Sequence, residues 1–322
     1  MSSILTNISA MAALSTLRTI SQSMEQTQNH ISSGYRVDRA ADNAAYWSIA
    51  TTMRSDNAAL STVSDALGLG AAKTDTAYTG LNSAITVITE IKTKLVAARE
   101  PGVDKGKINS ELTELKNQLF SISESASFSG QNWLYNDDSI ANTTVEMVGS
   151  FNRASDNTVA VGILKFDTAS STLVDKYDTT KGLLTGDVSV AHPAGTSTAT
   201  TSYFLLNVGS TATVTPTGTE IKLDGTTSND DIDGMISSVE VMLGNMTNSA
   251  AVIGSTNMRI DLQNNFVKDL MDTISKGVGR LVDADMNEES TKLKALQTQE
   301  QLGIQSLSIA NSESSNILQL FR

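Results

Sequence analysis

The side chains that most often do chemistry are scarce in this sequence of 322 residues. It contains no cysteine, which excludes disulfides, thiolate nucleophiles and zinc sites of the cysteine type. Its two histidines, His30 and His192, lie in segments of different character. Neither belongs to an HExxH zinc motif, since Ile31 follows the first and Pro193 the second. We therefore expect no catalytic residue, no metal site and no cofactor.

An acidic cluster is the remaining candidate for binding a cation. Its members are Asp224, Asp230, Asp231 and Asp233. Carboxylates at this spacing also suit the first turn of a helix, because they complement the positive end of the helix dipole. The sequence favours this second interpretation, a solvated helix start.

Composition narrows the class of protein further. A net charge of −12 and a pI near 4.6, without basic runs, argue against nucleic acid and anionic membranes as partners. No apolar run reaches the about 18 residues that a membrane span requires. The first 20 residues lack the basic region of a cleavable signal peptide, so an exported chain would use another route. Aromatic residues make up only 5% of the chain, which indicates a thin core suited to a helical rod.

Three long segments carry the periodicity of packed helices. Apolar or small residues, among them Ile49 and the weaker member Gly70, recur with three-then-four spacing from Tyr46 to Ala98. This seam predicts a coiled-coil helix about 80 Å long. After a break at Pro101 and Gly102, residues 108–126 continue the pattern and predict a helix that runs back along the first. Residues 232–281 carry another long seam. Both halves of the chain therefore contribute to one rod.

The segment between these helices changes character. Residues 142–167 alternate as strand, turn and strand, which predicts a β-hairpin. Residues 167–229 are rich in Thr, Ser, Gly and Asp, with short strand candidates at 203–208 and 220–223. We expect a mainly α protein with a small β-rich inserted surface domain. A disordered linker is the alternative for the insert.

Each end of the chain carries one amphipathic helical stripe. Such stripes need a cover, and each is the partner that the other lacks. One interpretation is a helix docked on its own domain, and the other is a helix that finds its partner only in an oligomer. The residues predicted to form this assembly interface are Ile4, Ile8, Met11, Leu14, Leu17, Ile20, Met24, Ile31, Leu293, Leu296, Leu307, Ile317 and Phe321. Leu302 and Ile309 lie beside the C-terminal stripe.

A compact polar segment separates the N-terminal stripe from the first rod helix. We expect it to act as a hinge, with Asp42 or Asn43 capping the rod helix. Its arginines are candidates for ion pairs with neighbouring carboxylates or with another subunit. The segment contains Gly34, Arg36, Asp38, Arg39 and Asp42.

Both ends of the sequence resemble those of bacterial flagellins. The N-terminal match rests on Ser32-Ser33-Gly34, Arg36, Ala40 and residues 42–45. The C-terminal match rests on Asp283-Ala284-Asp285, Glu289, Gln301, Ala310-Asn311 and residues 316–318. The likeness covers residues 1 to about 165 and about 230 to 322. It implies a non-enzymatic subunit that polymerises into the extracellular helical filament used for swimming.

The resemblance also implies a division of the chain. Residues 1–33 would form an inner-tube helix, 34–43 a spoke, and 44–166 the rod with its hairpin. Residues 167–229 would form the variable surface insert, 230–282 the C-terminal rod helix, and 283–322 the C-terminal inner-tube helix.

The partners implied by the resemblance begin with the chain itself in a helical homopolymer, with other flagellins as further subunits. Export, unfolded, would use the flagellar type III apparatus and an export chaperone. Cap and hook-junction proteins would contact the finished filament. A hook–filament junction protein is the alternative within this class. A metal-dependent enzyme in the insert is the alternative of another class, and the missing HExxH motif disfavours it.

One further site follows from the family likeness. Flagellins sensed by a vertebrate innate receptor carry an arginine on the rod, and the alignment places Glu90 there, with Glu111 as its companion. An anion in place of the cation removes an ion pair with the receptor and adds repulsion, so we expect weak receptor activation. An alignment shifted by one or two residues would place Lys92 or Lys94 at the site and preserve the charge.

Overall fold

The structure is a computed structural model that describes residues 7–137, 144–191, 200–208 and 214–320, without the side chains of 313–320. His192, Ile4 and Phe321 lie outside the described residues. The five α-helices described are α1 (Ile8–Ser33), α2 (Ala44–Ala98), α3 (Lys105–Ser125), α4 (Asn229–Val282) and α5 (Met286–Leu320).

The nine strands described all lie between α3 and α4. They are β1 (Ser127–Phe128), β2 (Gln131–Asn132), β3 (Tyr135–Asn136), β4 (Val145–Arg153), β5 (Val159–Phe166), β6 (Val174–Asp175), β7 (Val188–Ala191), β8 (Thr200–Phe204) and β9 (Thr219–Glu220). The predicted fold class is confirmed: long helices dominate, and a small β-containing region lies in the middle of the chain.

The chain divides into two compact units. The terminal unit comprises residues 1–59 and 270–322, and the central unit comprises residues 60–269. Helices α2 and α4 contribute to both units, so the rod helices are continuous across this division.

In the central unit, the seam predicted for α2 is buried at every position from Leu60 to Ala98. Leu81, Ile88 and Leu95 are fully buried, and Val239 and Met242 of α4 are equally buried. Contact with the hairpin explains why the small residue Gly70 occupies a seam position. A Cβ there would lie 3.1 Å from Met147 Sδ, so a larger side chain would push against the hairpin.

The start of the predicted seam is displaced in the terminal unit. Ile49 is 49% exposed, whereas Ala50 is 1% exposed and packs with Val37, Val278 and Val282. The assignment of Ile49 to the buried seam was therefore wrong. The reason is the local packing partner: near its start, α2 meets Val37 and the end of α4, and this contact buries Ala50 instead of Ile49.

The predicted hairpin is confirmed as β4 and β5, which pair antiparallel from Val145 opposite Phe166 to Arg153 opposite Val159. The register shifts between Val148 and Ser150. Phe166 stacks on the buried Trp133 with ring centroids 4.7 Å apart. The hairpin is thereby fixed to the loop that follows α3.

Residues of segment 167–229 pack within the central unit. Tyr203 is 1% exposed and lies against Gly234 of α4, where a Cβ would be 2.8 Å from the tyrosine Oη. Lys116 Nζ of α3 lies 2.9 Å from Glu220 Oε1. Burial lowers the pKa of Lys116, although Glu220 opposes that shift. The described part of the segment is thus attached to α3 and α4, and its role as a variable surface insert stays a prediction.

The strands in this segment are shorter than the sequence predicted. β8 ends at Phe204, and Leu205 and Leu206 instead donate their backbone N–H groups to the Leu184 carbonyl. β9 spans two residues. Asp224 follows and accepts hydrogen bonds from Thr226 and Thr227 in the turn before α4.

Candidate assembly site

Helices α1 and α5 pack on each other in the terminal unit. Asn7 holds one end of the pair: its Oδ1 accepts the Ala10 N–H, and its Nδ2 donates to the Ala310 carbonyl at 2.9 Å. α1 ends at Gly34, whose φ of 76° is a left-handed conformation that glycine adopts without strain. The two chain ends therefore meet within one subunit.

The packing between α1 and α5 depends on small residues. A Cβ at Gly303 would lie 2.8 Å from Leu17 Cδ2 and 3.1 Å from Leu17 Cγ, both closer than ordinary van der Waals contact. Glycine at this position therefore sets how closely the two helices approach.

A buried polar pair joins the helices at their other end. His30 is 8% exposed, and its Nδ1 lies 2.9 Å from Glu289 Oε1. Burial alone would raise the pKa of Glu289, but the His30 hydrogen bond and the Lys292 charge outweigh it, and the pKa is lowered. Thr27 Oγ1 and the second carboxylate oxygen are buried at the same contact, where the Thr27 hydroxyl also favours the charged form of Glu289. No sequence pattern indicates this pair, since its members are 259 positions apart.

Several predicted interface residues are used inside this helix pair. Leu296 is buried, and six others are half-buried: Leu17, Ile20, Met24, Ile31, Leu293 and Leu307. Ile317 belongs to α5, but its side chain is outside the description, as are Ile4 and Phe321 entirely.

The remaining predicted residues face solvent in the single chain. Ile8 is 67% exposed and Met11 56%, and Leu14 is also exposed. On α5, Leu302, Ile304 and Ile309 are each more than half exposed. Exposed apolar groups of this extent mark interaction surfaces. Ile304 was missing from the predicted stripe because it lies off the face shared with α1. We call these six residues the terminal apolar surface.

The segment between α1 and α2 is held by backbone contacts. Arg36 Nη2 donates to the Leu281 carbonyl at 2.9 Å. Asp42 Oδ2 accepts the backbone N–H groups of Asp38 and Arg39, and these bonds, with the Arg39 bond the largest influence, lower the pKa of Asp42. Asn43 Oδ1 accepts the Tyr46 N–H.

This arrangement makes Asn43 the residue that caps α2. The Gly34 carbonyl accepts the N–H of Ala284, in the connection between α4 and α5, at 2.9 Å. The predicted spoke residues are therefore brought together around the ends of α4 and α1.

The acidic cluster behaves as a helix start. Asp230 and Asp231 lie in the first turn of α4. Hydrogen bonds from Thr226 and Thr227 lower the pKa of Asp224 to about 2, and Asp233 pairs with Arg99 Nε at 2.8 Å. Within the described ranges, no group of three His, Asp or Glu side chains could hold a metal ion.

The residues predicted to lie at the receptor position are close together on α2 and α3. Lys94 Nζ is 2.6 Å from Glu111 Oε2, and the hydrogen bond to Glu111 raises the pKa of the lysine. Glu90 lies one turn before Lys94 and also favours its charged form. An anion therefore stands beside an ion pair at this site.

These features define a class of protein. Paired terminal helices that expose apolar side chains, together with long helices and no catalytic constellation in the described residues, are typical of a subunit of a helical polymer. The described helices include none that could cross a membrane.

Comparisons with known proteins identify the family. The N-terminal helical region of bacterial flagellins matches residues 4–139, and the C-terminal helical region matches residues 236–321. Flagellin C of Rhizobium meliloti (strain 1021) is 59% identical over 324 residues, covering 100% of both chains. Flagellin A of that strain is 48% identical over 396 residues, and a flagellin of Brucella melitensis biotype 1 is 42% identical over 323 residues, again with 100% coverage of both chains. The chain belongs to the bacterial flagellin family.

Membership of this family confirms the predicted function. The chain is a structural subunit of the flagellar filament, an extracellular structure, and it is not an enzyme. The predicted self-association is confirmed at the level of the family.

Proposed function

We propose that this chain polymerises into the flagellar filament through the terminal apolar surface. Ile8, Met11 and Leu14 of one copy would be buried against α1 or α5 of neighbouring copies. The observation that carries this proposal is the exposure of these large apolar side chains beside a helix pair that is already formed within the subunit.

The helix pair explains why two sets of apolar residues are present at each end. The set that includes Leu296 stabilises the pair itself, and the exposed set has no cover in the single chain. Fully burying one Leu or Ile side chain stabilises by about 1.5–3 kcal/mol, so a few such residues suffice to drive association. Contacts that repeat head to tail produce an open helical filament.

The spoke supports this role by fixing the helix pair to the rod. Arg36 and Val37 both donate backbone N–H groups to the Val282 carbonyl, close to the point where α4 ends. A hinge tied in this way would hold the terminal helices in one orientation in every copy. We propose on the same basis that residues 1–33 and 283–322 line the inside of the filament.

Export and the remaining partners follow from the family. We propose that the chain leaves the cell unfolded through the flagellar type III apparatus with an export chaperone. Cap and hook-junction proteins would contact the ends of the filament, and other flagellins would be additional subunits.

Polymerisation of purified protein tests the proposal. Seeds of preformed filament are added to monomeric Ile8→Asp, and elongation is followed by light scattering and electron microscopy. A buried carboxylate without a partner is strongly unfavourable, so we expect elongation to stop.

The matched control is Ser9→Asp, which adds the same charge to an exposed neighbouring position in the same helix turn. It should elongate like the unmodified chain. Normal elongation of Ile8→Asp, or equal loss in both variants, would contradict the assignment of this surface.

A further inference from the structure

The β4–β5 hairpin in the central unit is apolar on both faces. Its inner face buries Met147, Leu164 and Phe166. Its outer face exposes Val159, Val161 and Ile163 at 55%, 54% and 48%. A sheet with one face in water normally carries polar residues on that face. We call the three exposed residues the hairpin row.

Helix α4 of the same unit is also apolar on two sides. Ile253, Ile260 and Val267 lie on its buried seam. On the other side, Met258, Leu262 and Phe266 repeat every four residues and are 63%, 64% and 59% exposed. Residues four apart lie one above another on a helix, so these side chains form a continuous stripe. We call this stripe the α4 row.

The two rows match in length. The hairpin row spans about 13 Å at about 3.3 Å per strand residue. The α4 row spans about 12 Å at 1.5 Å per helical residue. Both rows are exposed in the single chain, so neither covers the other within one copy.

A helical polymer supplies the missing cover. In a head-to-tail assembly each contact joins two different surfaces of the subunit, and both surfaces are buried in every internal copy. The chain belongs to a family that self-polymerises, so a neighbouring copy is the partner always present at its surface. Two unlike apolar rows of equal length on one unit fit that requirement.

We propose that the hairpin row of one copy docks on the α4 row of a neighbouring copy in the filament. This inference rests on the proposed function and adds a contact of the central unit to that of the terminal apolar surface. The contact is heterologous: Val161 of one copy lies close to Leu262 of the next.

Cysteine cross-linking tests the contact directly, because the natural chain has no cysteine of its own. Val161→Cys and Leu262→Cys are prepared as separate variants, one with a mass tag, and are polymerised together in equal amounts. A disulfide or a short bismaleimide link forms only between residues that approach closely. We expect a dimer of mixed mass in these filaments and no dimer in filaments of either variant alone.

The matched control pairs Val161→Cys with Val241→Cys. Val241 is exposed on the same helix, about 30 Å from Leu262 along its axis. This pair should not cross-link. Three results would overturn the inference and leave the proposed function intact. They are filaments without the 161–262 link, equal linking of position 161 to position 241, and links between identical variants. Failure of the unmodified chain to form filaments at all would overturn the proposed function and the inference with it.

A substitution pair gives a second readout. Val161→Asp should raise the critical concentration for polymerisation by about tenfold or more, since it places a charge in the contact. Val161→Thr keeps a β-branched side chain that suits a strand and should have a smaller effect. Circular dichroism of both monomers establishes that the fold is retained. Polymerisation of Val161→Asp at the unmodified critical concentration would overturn the inference.

Discussion

Gly303 determines how closely α1 approaches α5. Gly303→Ala tests this, because its effect on stability should change sign when Leu17 is replaced. Two effects oppose each other in this variant. Replacing glycine with alanine inside a helix stabilises the helix by about 1 kcal/mol. The new Cβ would lie 2.8 Å from Leu17 Cδ2 and 3.1 Å from its Cγ, and overpacking of this kind costs about 1–3 kcal/mol.

The second effect should win when Leu17 is present. We expect Gly303→Ala to destabilise the terminal helix pair by up to about 2 kcal/mol, which corresponds to an increase of up to about thirtyfold in the critical concentration for polymerisation. In a Leu17→Ala background the clash is gone and only the gain in helix propensity remains. The same substitution should then stabilise by about 1 kcal/mol relative to Leu17→Ala alone.

The assay is a double-mutant cycle on the four chains, with critical concentration and the temperature of filament depolymerisation as readouts. Helicity of the monomers by circular dichroism separates the propensity effect from the packing effect. Equal effects of Gly303→Ala in both backgrounds would refute the contact between these two residues and the helix packing derived from it.

Three further predictions concern other parts of the chain. Tyr203→Phe should raise the free energy of unfolding by about 1 kcal/mol in urea titration, because the tyrosine hydroxyl is buried without a partner in the described structure; a loss of that size would contradict this. The pKa of Glu289 is lowered in the folded chain, so its charged carboxylate stabilises the helix pair at any pH above the ordinary pKa of a glutamate. This stabilisation is lost as the pH falls through the lowered pKa. Acid titration of filaments should therefore show a weaker pH dependence in Glu289→Gln, and identical curves would refute the role of this pair. The resemblance predicts Glu90 at the position of the family's arginine, so we expect purified monomer to activate receptor reporter cells weakly. Strong activation at the dose sufficient for a responsive flagellin would refute this prediction.

The sequence predicted the rod well because the coiled-coil period is set by burial at every turn. Positions such as Leu67, Leu81 and Ile91 are apolar at seam spacing, and the structure buries each of them. The prediction failed at Ile49, where contacts with Val37, Val278 and Val282 bury the neighbouring Ala50 instead. Local periodicity carries no information about these distant partners.

The contacts between distant segments were beyond sequence reasoning. Gly234 is small because Tyr203 lies against it, and Gly303 because Leu17 does. His30 stands out in the sequence only as one of two histidines, and Glu289 only through the family likeness; nothing there indicates that they form a buried pair when α1 and α5 meet. The terminal stripes could be found from periodicity, but their division into a packed set and an exposed set, such as Leu296 and Ile8, depends on which face meets the other helix.

A helical reconstruction by electron cryomicroscopy of filaments grown from this chain alone tests the central claim most directly. The account predicts that α1 and α5 of every copy lie innermost and that Ile8, Met11 and Leu14 are buried against a neighbouring copy. A filament in which these three side chains remain exposed to solvent, or in which α1 and α5 of one copy are separated, would contradict it.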